Sequence, residues 1–175
     1  NNTRFVSPET RDRVLASMQQ LNYRRNRIAS SLRSNQTYTL GVLLPNSANP
    51  HFAEMLVGIE SASFDLNYRI IMGNANDDPV RELAYAEVLL SQQVDGILLI
   101  SAGDSDETLD LIEEYDVPLI VFEHVAEERN VGVITSDNKM GARLAADYLY
   151  DLGHRQIACI SGPTHIETSV ERKDV

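Results

Sequence analysis

Gly96-Ile97-Leu98-Leu99-Ile100 is an aliphatic run with no polar member, bounded by Asp95 and Ser101. A strand with one wet face alternates apolar and polar residues. An unbroken run needs cover on both faces, as an interior strand of a parallel sheet does between layers of helices. Upstream, a strand over 39–44 ends at Pro45, and the polar loop Asn46-Ser47-Ala48-Asn49 leads to Pro50 and a helix whose apolar positions are Phe52, Met55, Leu56, Ile59 and Leu66. Asn67 reads as its stop. The unit repeats: a strand over 69–73, the loop 74–77, Asp78 as N-cap with Pro79 behind it, and a helix to Gln92 through Leu83, Ala86 and Leu90.

Downstream come a helix over 106–115, a strand over 118–122, a strand over 131–135, a helix over 138–152 with Gly153 at its C-cap, and a last strand over 156–160. Strands alternating with helices in this order predict a doubly wound α/β domain, with a ligand crevice outside the carboxyl ends of the strands. The loops at 45–50, 73–78, 101–105 and 123–137 are therefore the candidate rim.

Charge sets the first 36 residues apart from this domain. They hold seven arginines (4, 11, 13, 24, 25, 27 and 33) against Glu9 and Asp12, whereas the whole chain of 175 residues has a formal net charge of −11. A basic end on an acidic body confines a polyanion to that end; the alternative is a solvated, arginine-rich helix face. Ser7, Pro8 and Glu9 mark a helix start, and Val14, Leu15, Met18 and Leu21 give that helix an apolar stripe whose expected partner lies outside this sequence. Asn26 then caps a segment of about two turns ending near Arg33. Ile28, Ala29 and Leu32 lie on one side of it, flanked by Arg27 and Arg33. That is the composition of a minor-groove wedge rimmed by cations, and equally of a plain linker helix.

At this length one sizeable α/β core plus a small appendage is accommodated. No run of about 18 apolar residues and no signal-peptide pattern occurs, so the expectation is a cytosolic, soluble protein. Cys159, within Ile157-Ala158-Cys159-Ile160, is expected to be a buried core thiol. No G-x-G-x-x-G or G-x-x-x-x-G-K-[ST] follows the first strand, which disfavours nucleotide enzymes. His51, His124, His154 and His165 have neither metal-ligand spacing nor an obvious Ser or Cys partner. No catalytic residue, metal or cofactor is expected. The rim offers Ser47, Asn49, Asn74, Asn76 and Asp137 beside His51 and Phe52, groups suited to a hydroxyl-rich solute.

Taken together, Phe5-Val6-Ser7-Pro8-Glu9-Thr10-Arg11, Leu21-Asn22-Tyr23 and 26–33 resemble the last headpiece helix and hinge helix of the lactose, purine and ribose repressor family. Gly41-Val42-Leu43-Leu44-Pro45, 49–54, Val94-Asp95-Gly96-Ile97, Ser136-Asp137-Asn138 and Gly153-His154-Arg155-Gln156-Ile157 resemble that family's landmarks in order.

The resemblance implies a periplasmic-binding-protein-like first lobe over 37–155. Before it, at 1–36, would come a partial helix-turn-helix headpiece and hinge helix, and after it, at 156–175, the start of a second lobe. It implies a homodimer that binds operator DNA through the minor groove, with Leu32 as intercalating wedge, Ala29 beside it, and Arg25, Asn26, Arg27 and Arg33 in support. It places Ser47, His51, Phe52, Asp137 and Arg172 against a small effector, a sugar or a purine; Arg172 also reads as an exposed arginine near the chain end. The implied function is a repressor of transcription in the cytoplasm, at the nucleoid, with a DNA-free solute-binding protein as the alternative and a flavodoxin-like enzyme as a third class. The sequence departs from the family at Arg25, where a Pro is common, at Glu123-His124, and at Val175, where a Gly is usual. The family's first two headpiece helices and most of its second lobe are outside the sequence.

Overall fold

The structure, a computed structural model, describes residues 6–21, 23, 36–101, 103, 105–123, 129–164 and 166–174. Contacts divide the chain into two compact units, 1–37 and 38–175. In the first, helix α1 (Pro8–Gln20) begins where Ser7 Oγ accepts the Thr10 N–H at 3.3 Å. Of its stripe, Val14, Leu15 and Leu21 are exposed and Met18 is half-buried. Arg25, Asn26, Arg27, Ala29, Leu32 and Arg33, the residues expected to form a hinge, lie outside the described residues, as do His124, His165 and Val175.

The second unit contains β1 (Thr39–Leu44), α2 (Pro50–Asp65), β2 (Arg69–Asn74), α3 (Pro79–Ser91), β3 (Gly96–Ile100), α4 (Asp106–Glu114), β4 (Leu119–Phe122), β5 (Gly132–Ile134), α5 (Asn138–Asp151) and α6 (Glu167–Lys173). Among the described residues five strands form one parallel sheet in the order β2-β1-β3-β4-β5. The order reverses between β1 and β3, where doubly wound sheets open their crevice.

Strand alternation distributes the core over two faces. Leu43, Ile97, Leu99, Leu119 and Val121 pack with Ala86, Leu89 and Leu90 of α3 and Leu109 and Ile112 of α4. Val42, Leu44 and Ile100 point the other way, against Phe52, Met55, Leu56 and Ile59 of α2. Each such aliphatic side chain contributes about 1.5–3 kcal/mol on burial. The helix-start readings hold, since Asn49 caps α2 through the His51 N–H, and Asp78 caps α3 through the Val80 and Arg81 N–H groups. Asn67 leaves α2 in the left-handed region at φ 64°, and Gly153 follows α5 at φ 93°.

Two expectations fail. Residues 156–160 form no strand, and Ile160 is 100% exposed. Their aliphatic pattern is that of a strand, but a strand needs a hydrogen-bonded neighbour, and none of the described residues supplies one. Cys159 is accordingly exposed rather than buried in a core. α5 is similarly bare: Asn138 is its one buried residue, while Leu144 and Tyr148 face outward.

Candidate effector crevice

The loops at the carboxyl edge are tied to one another before any ligand is considered. Asn46 Nδ2 donates to Asp77 Oδ2 at 2.8 Å, and the Ser47 N–H donates to Asn74 Oδ1 at 2.9 Å. Backbone bonds from Ala75 N to Leu44 O and from Asp77 N to Pro45 O complete the seam between the loops after β1 and β2. Asn76 and Asp77 both sit at φ 57°, a left-handed conformation that Asn and Asp tolerate better than most residues. The rim amides are therefore structural parts as well as polar lining: Asn49 caps a helix and Asn74 holds a loop.

On this frame Ser47 and His51 are exposed and Phe52 is half-buried. The Phe52 ring packs on the Val42, Leu44 and Ile100 cluster, and the His51 ring lies 5.4 Å from it, tilted by 55°. After β3, Ser101 and Ser105 are both buried, and their hydroxyls are 2.9 Å apart.

The far end of the edge is built around an acid. Glu123 directly follows β4 in the left-handed region, at φ 55°. Its Oε1 accepts both the Ser136 hydroxyl, at 2.6 Å, and the Ser136 N–H, at 3.2 Å. Its Oε2 is buried and has no hydrogen-bond partner among the described residues. Asp137 is the N-cap of α5, where Oδ1 accepts the Met140 N–H at 2.9 Å. Asn138, 6% exposed, accepts Arg172 Nε at 2.7 Å. Asp137, Asn138 and Arg172 share one cavity of about 750 Å³ with the small-residue face of α5. A second cavity, of about 510 Å³, opens beside Pro45, Asp77 and Gly103.

The anticipated effector residues thus fall into two groups. Asp137 and Arg172 come together at the β5 end, whereas Ser47, His51 and Phe52 gather at the β1 end. No hydrogen bond, ion pair or ring contact among the described residues joins the two groups. β3 and β4 intervene, which at the usual strand spacing sets the groups roughly 14 Å apart. Glu123 was noted in the sequence only as a departure from the family, Asn138 only within a family landmark and Ser101 only as a strand boundary; none was given a site role. For Glu123 the available signal was a carboxylate closing an aliphatic strand, for Asn138 its place in the Ser136-Asp137-Asn138 landmark, and for Ser101 only its rim position.

Arg129 pins the chain just before β5. It donates to Asp110 Oδ1 at 2.7 Å, Glu113 Oε2 at 3.1 Å and Asp106 Oδ1 at 3.2 Å, three residues on one face of α4. The hydrogen bond to Asp110 is the largest influence holding its guanidinium pKa above the ordinary arginine range, against a smaller opposing effect of desolvation. Among the described residues no helix is long and apolar enough to cross a membrane, and no three His, Cys, Asp or Glu side chains converge as a metal site would require.

Comparison with known proteins agrees with this architecture. The HTH-type transcriptional repressor PurR of Klebsiella pneumoniae (strain 342) is 34% identical over 174 residues, covering 98% of this chain and 51% of that protein. The ribose operon repressor of Escherichia coli (strain K12) is 34% identical over 164 residues, covering 93% of this chain and 50% of that protein. The chain spans about half the length of the curated relatives it matches. The Lac repressor dimer bound to operator and the anti-inducer ONPF superposes with a TM-score of 0.83 at 26% identity, over 98% of this chain and 52% of that one. A periplasmic binding protein/LacI transcriptional regulator from Alkaliphilus metalliredigens QYMF, complexed with D-xylulofuranose, gives a TM-score of 0.70 at 35% identity, over 78% of this chain and 50% of that one. The family described as periplasmic binding proteins and sugar-binding domain of the LacI family matches residues 37–174. With a five-stranded parallel sheet in doubly wound order and a match over most of its length, the chain belongs to that family.

Proposed function

We propose that the chain is part of a DNA-binding transcription repressor whose operator affinity is controlled by a small solute held in the crevice. The observation that carries this reading is its 34% identity, over 98% of the chain, to the HTH-type transcriptional repressor PurR. On this reading the protein is not an enzyme, works as a homodimer in the cytoplasm at the nucleoid, and uses no cofactor. Residues 1–36 are the end of the headpiece and the hinge, 37–155 the first lobe of the sensor, and 156–175 the entry to its second lobe. Arg25, Asn26, Arg27, Ala29, Leu32 and Arg33 contact the minor groove. Ser47, His51, Phe52, Asp137 and Arg172 contact the effector, a sugar or a purine.

The polar content of the crevice supports a hydroxylated or ring-nitrogen solute. Hydroxyl, carboxylate and amide groups lie along one edge, an aromatic face at the β1 end, and Arg172 at the β5 end. Differential binding of that solute to two arrangements of the core would shift operator affinity, as any ligand-linked equilibrium requires.

The test is selection of genomic DNA by the full-length protein with and without pentoses, hexoses, nucleosides and purines, each added separately. A palindromic site whose recovery changes with one solute is the expected result and names the effector. Absence of any enriched site would overturn the reading and leave the solute-binding alternative.

A further inference from the structure

The geometry points to Asn138 as the residue that aims Arg172 at the ligand; this rests on the reading of Arg172 as an effector contact. Asn138 is the first residue of α5 and one of the few buried polar side chains, at 6% exposure. Both ends of its amide are engaged. Oδ1 accepts Arg172 Nε at 2.7 Å, while Nδ2 donates to Glu171 Oε2 at 3.1 Å and to Ser136 O at 3.2 Å. Its backbone N–H also donates to Ser136 O, at 2.9 Å. One buried amide therefore holds two consecutive residues of α6 and the turn leading into α5.

The choice of nitrogen decides what remains for a ligand. A guanidinium is planar and rigid, so fixing Nε by a short hydrogen bond orients the whole fork. The two terminal nitrogens of Arg172 have no hydrogen-bond or ion-pair partner among the described residues. That pair of donors suits two neighbouring acceptors on one solute, such as adjacent hydroxyl oxygens of a sugar or a carbonyl beside a ring nitrogen. The nearby carboxylates are held elsewhere: Asp137 Oδ1 caps α5 and Glu171 takes the Asn138 amide. Asn138 pre-orders an otherwise mobile side chain, which lowers the entropic cost of binding.

The same amide belongs to a longer chain of bonds. Glu123 is held by Ser136, and Ser136 O is held by Asn138. The acid at the end of β4 and the cation of α6 are thus positioned by Ser136 and Asn138, two residues apart in one turn, so a solute reaching both meets a pre-set pair.

The test has two arms. In the full-length protein without added solute, nitrogen-15 NMR should find the Arg172 Nε–H exchanging slowly, fast in Asn138→Ala, and slow again in Asn138→Asp, which keeps the acceptor oxygen. Equal exchange in all three would overturn the contact. In the full-length protein, D-ribose, D-glucose, adenine and guanine are titrated separately by calorimetry. For whichever binds, Asn138→Ala should weaken affinity about three- to tenfold, the range for releasing one rotamer-rich side chain. Asn138→Asp should recover most of that loss, and Asn138→Ala should cost nothing further in an Arg172→Ala background.

Additive losses, or equal losses in the Asp and Ala variants, would overturn positioning. Should Arg172→Ala alone leave affinity unchanged, or no solute bind, the effector reading fails, while the exchange arm still decides whether Asn138 holds Arg172.

Discussion

The Ser136 hydroxyl donates to Glu123 Oε1 at 2.6 Å, joining the end of β4 to the turn that starts α5. The bond spans 13 residues and the Ser136 backbone N–H reinforces it. Glu123 holds a positive φ without being glycine, a conformation that persists where surrounding contacts over-determine it.

Replacing that hydroxyl tests how much the junction contributes. Ser136→Ala removes one charge-assisted bond and leaves the backbone one, so unfolding in urea should show a loss of about 1–3 kcal/mol. A change below a few tenths would mean that the Ser136 N–H alone holds Glu123.

Gly73, in β2, has no room for a side chain. An added Cβ would stand 2.8 Å from Leu43 Cδ2 and 2.8 Å from Tyr85 Cβ. Tyr85 Cβ is fixed to the α3 backbone and has little freedom to yield. Gly73→Ala should therefore destabilise the sheet by about 1–3 kcal/mol, read from the thermal or urea midpoint. An unchanged midpoint would show that α3 floats over β2.

The Arg129 clamp should behave as a surface ion cluster. Its partners Asp106, Asp110 and Glu113 are 73%, 66% and 40% exposed, so water screens the attraction strongly. Arg129→Ala should cost no more than about 1 kcal/mol at low salt, and less as salt rises. Because the guanidinium pKa is raised, its share of stability is complete below the ordinary arginine pKa and is lost only as pH climbs beyond that range. Denaturation at pH 6 and pH 10 should therefore give the same difference between parent and variant; a difference that vanished by pH 10 would contradict the sign.

Leu32→Ala tests the DNA side of the proposal. In the full-length protein it should weaken operator binding by roughly 1–3 kcal/mol, the scale of one mismatched base pair, and leave effector affinity alone. Equal operator affinity would remove the intercalating wedge and favour a plain linker helix at 26–33.

Much of the fold was legible because its signals are local. An aliphatic run such as 96–100 reports burial on both faces whatever covers them, and Ser7, Asn49 and Asp78 cap helices through N–H groups two or three residues on. The rim loops were legible for the same reason, since they follow from where strands end.

The amino-acid sequence by itself determined which segments are strands and helices between residues 39 and 152, where each of those helices begins, and the charge contrast between the first 36 residues and the rest. Tertiary structure decided what depends on residues far apart in the chain. Residues 156–160 carry a strand pattern yet form no strand, because β pairing needs a neighbour that no local pattern supplies. Glu123 and Ser136, and Asn138 with Glu171 and Arg172, become partners only when the ends of β4, α5 and α6 converge. A side-chain hydrogen bond forms within about 3 Å, and the sequence order of these residues carries no information about that approach.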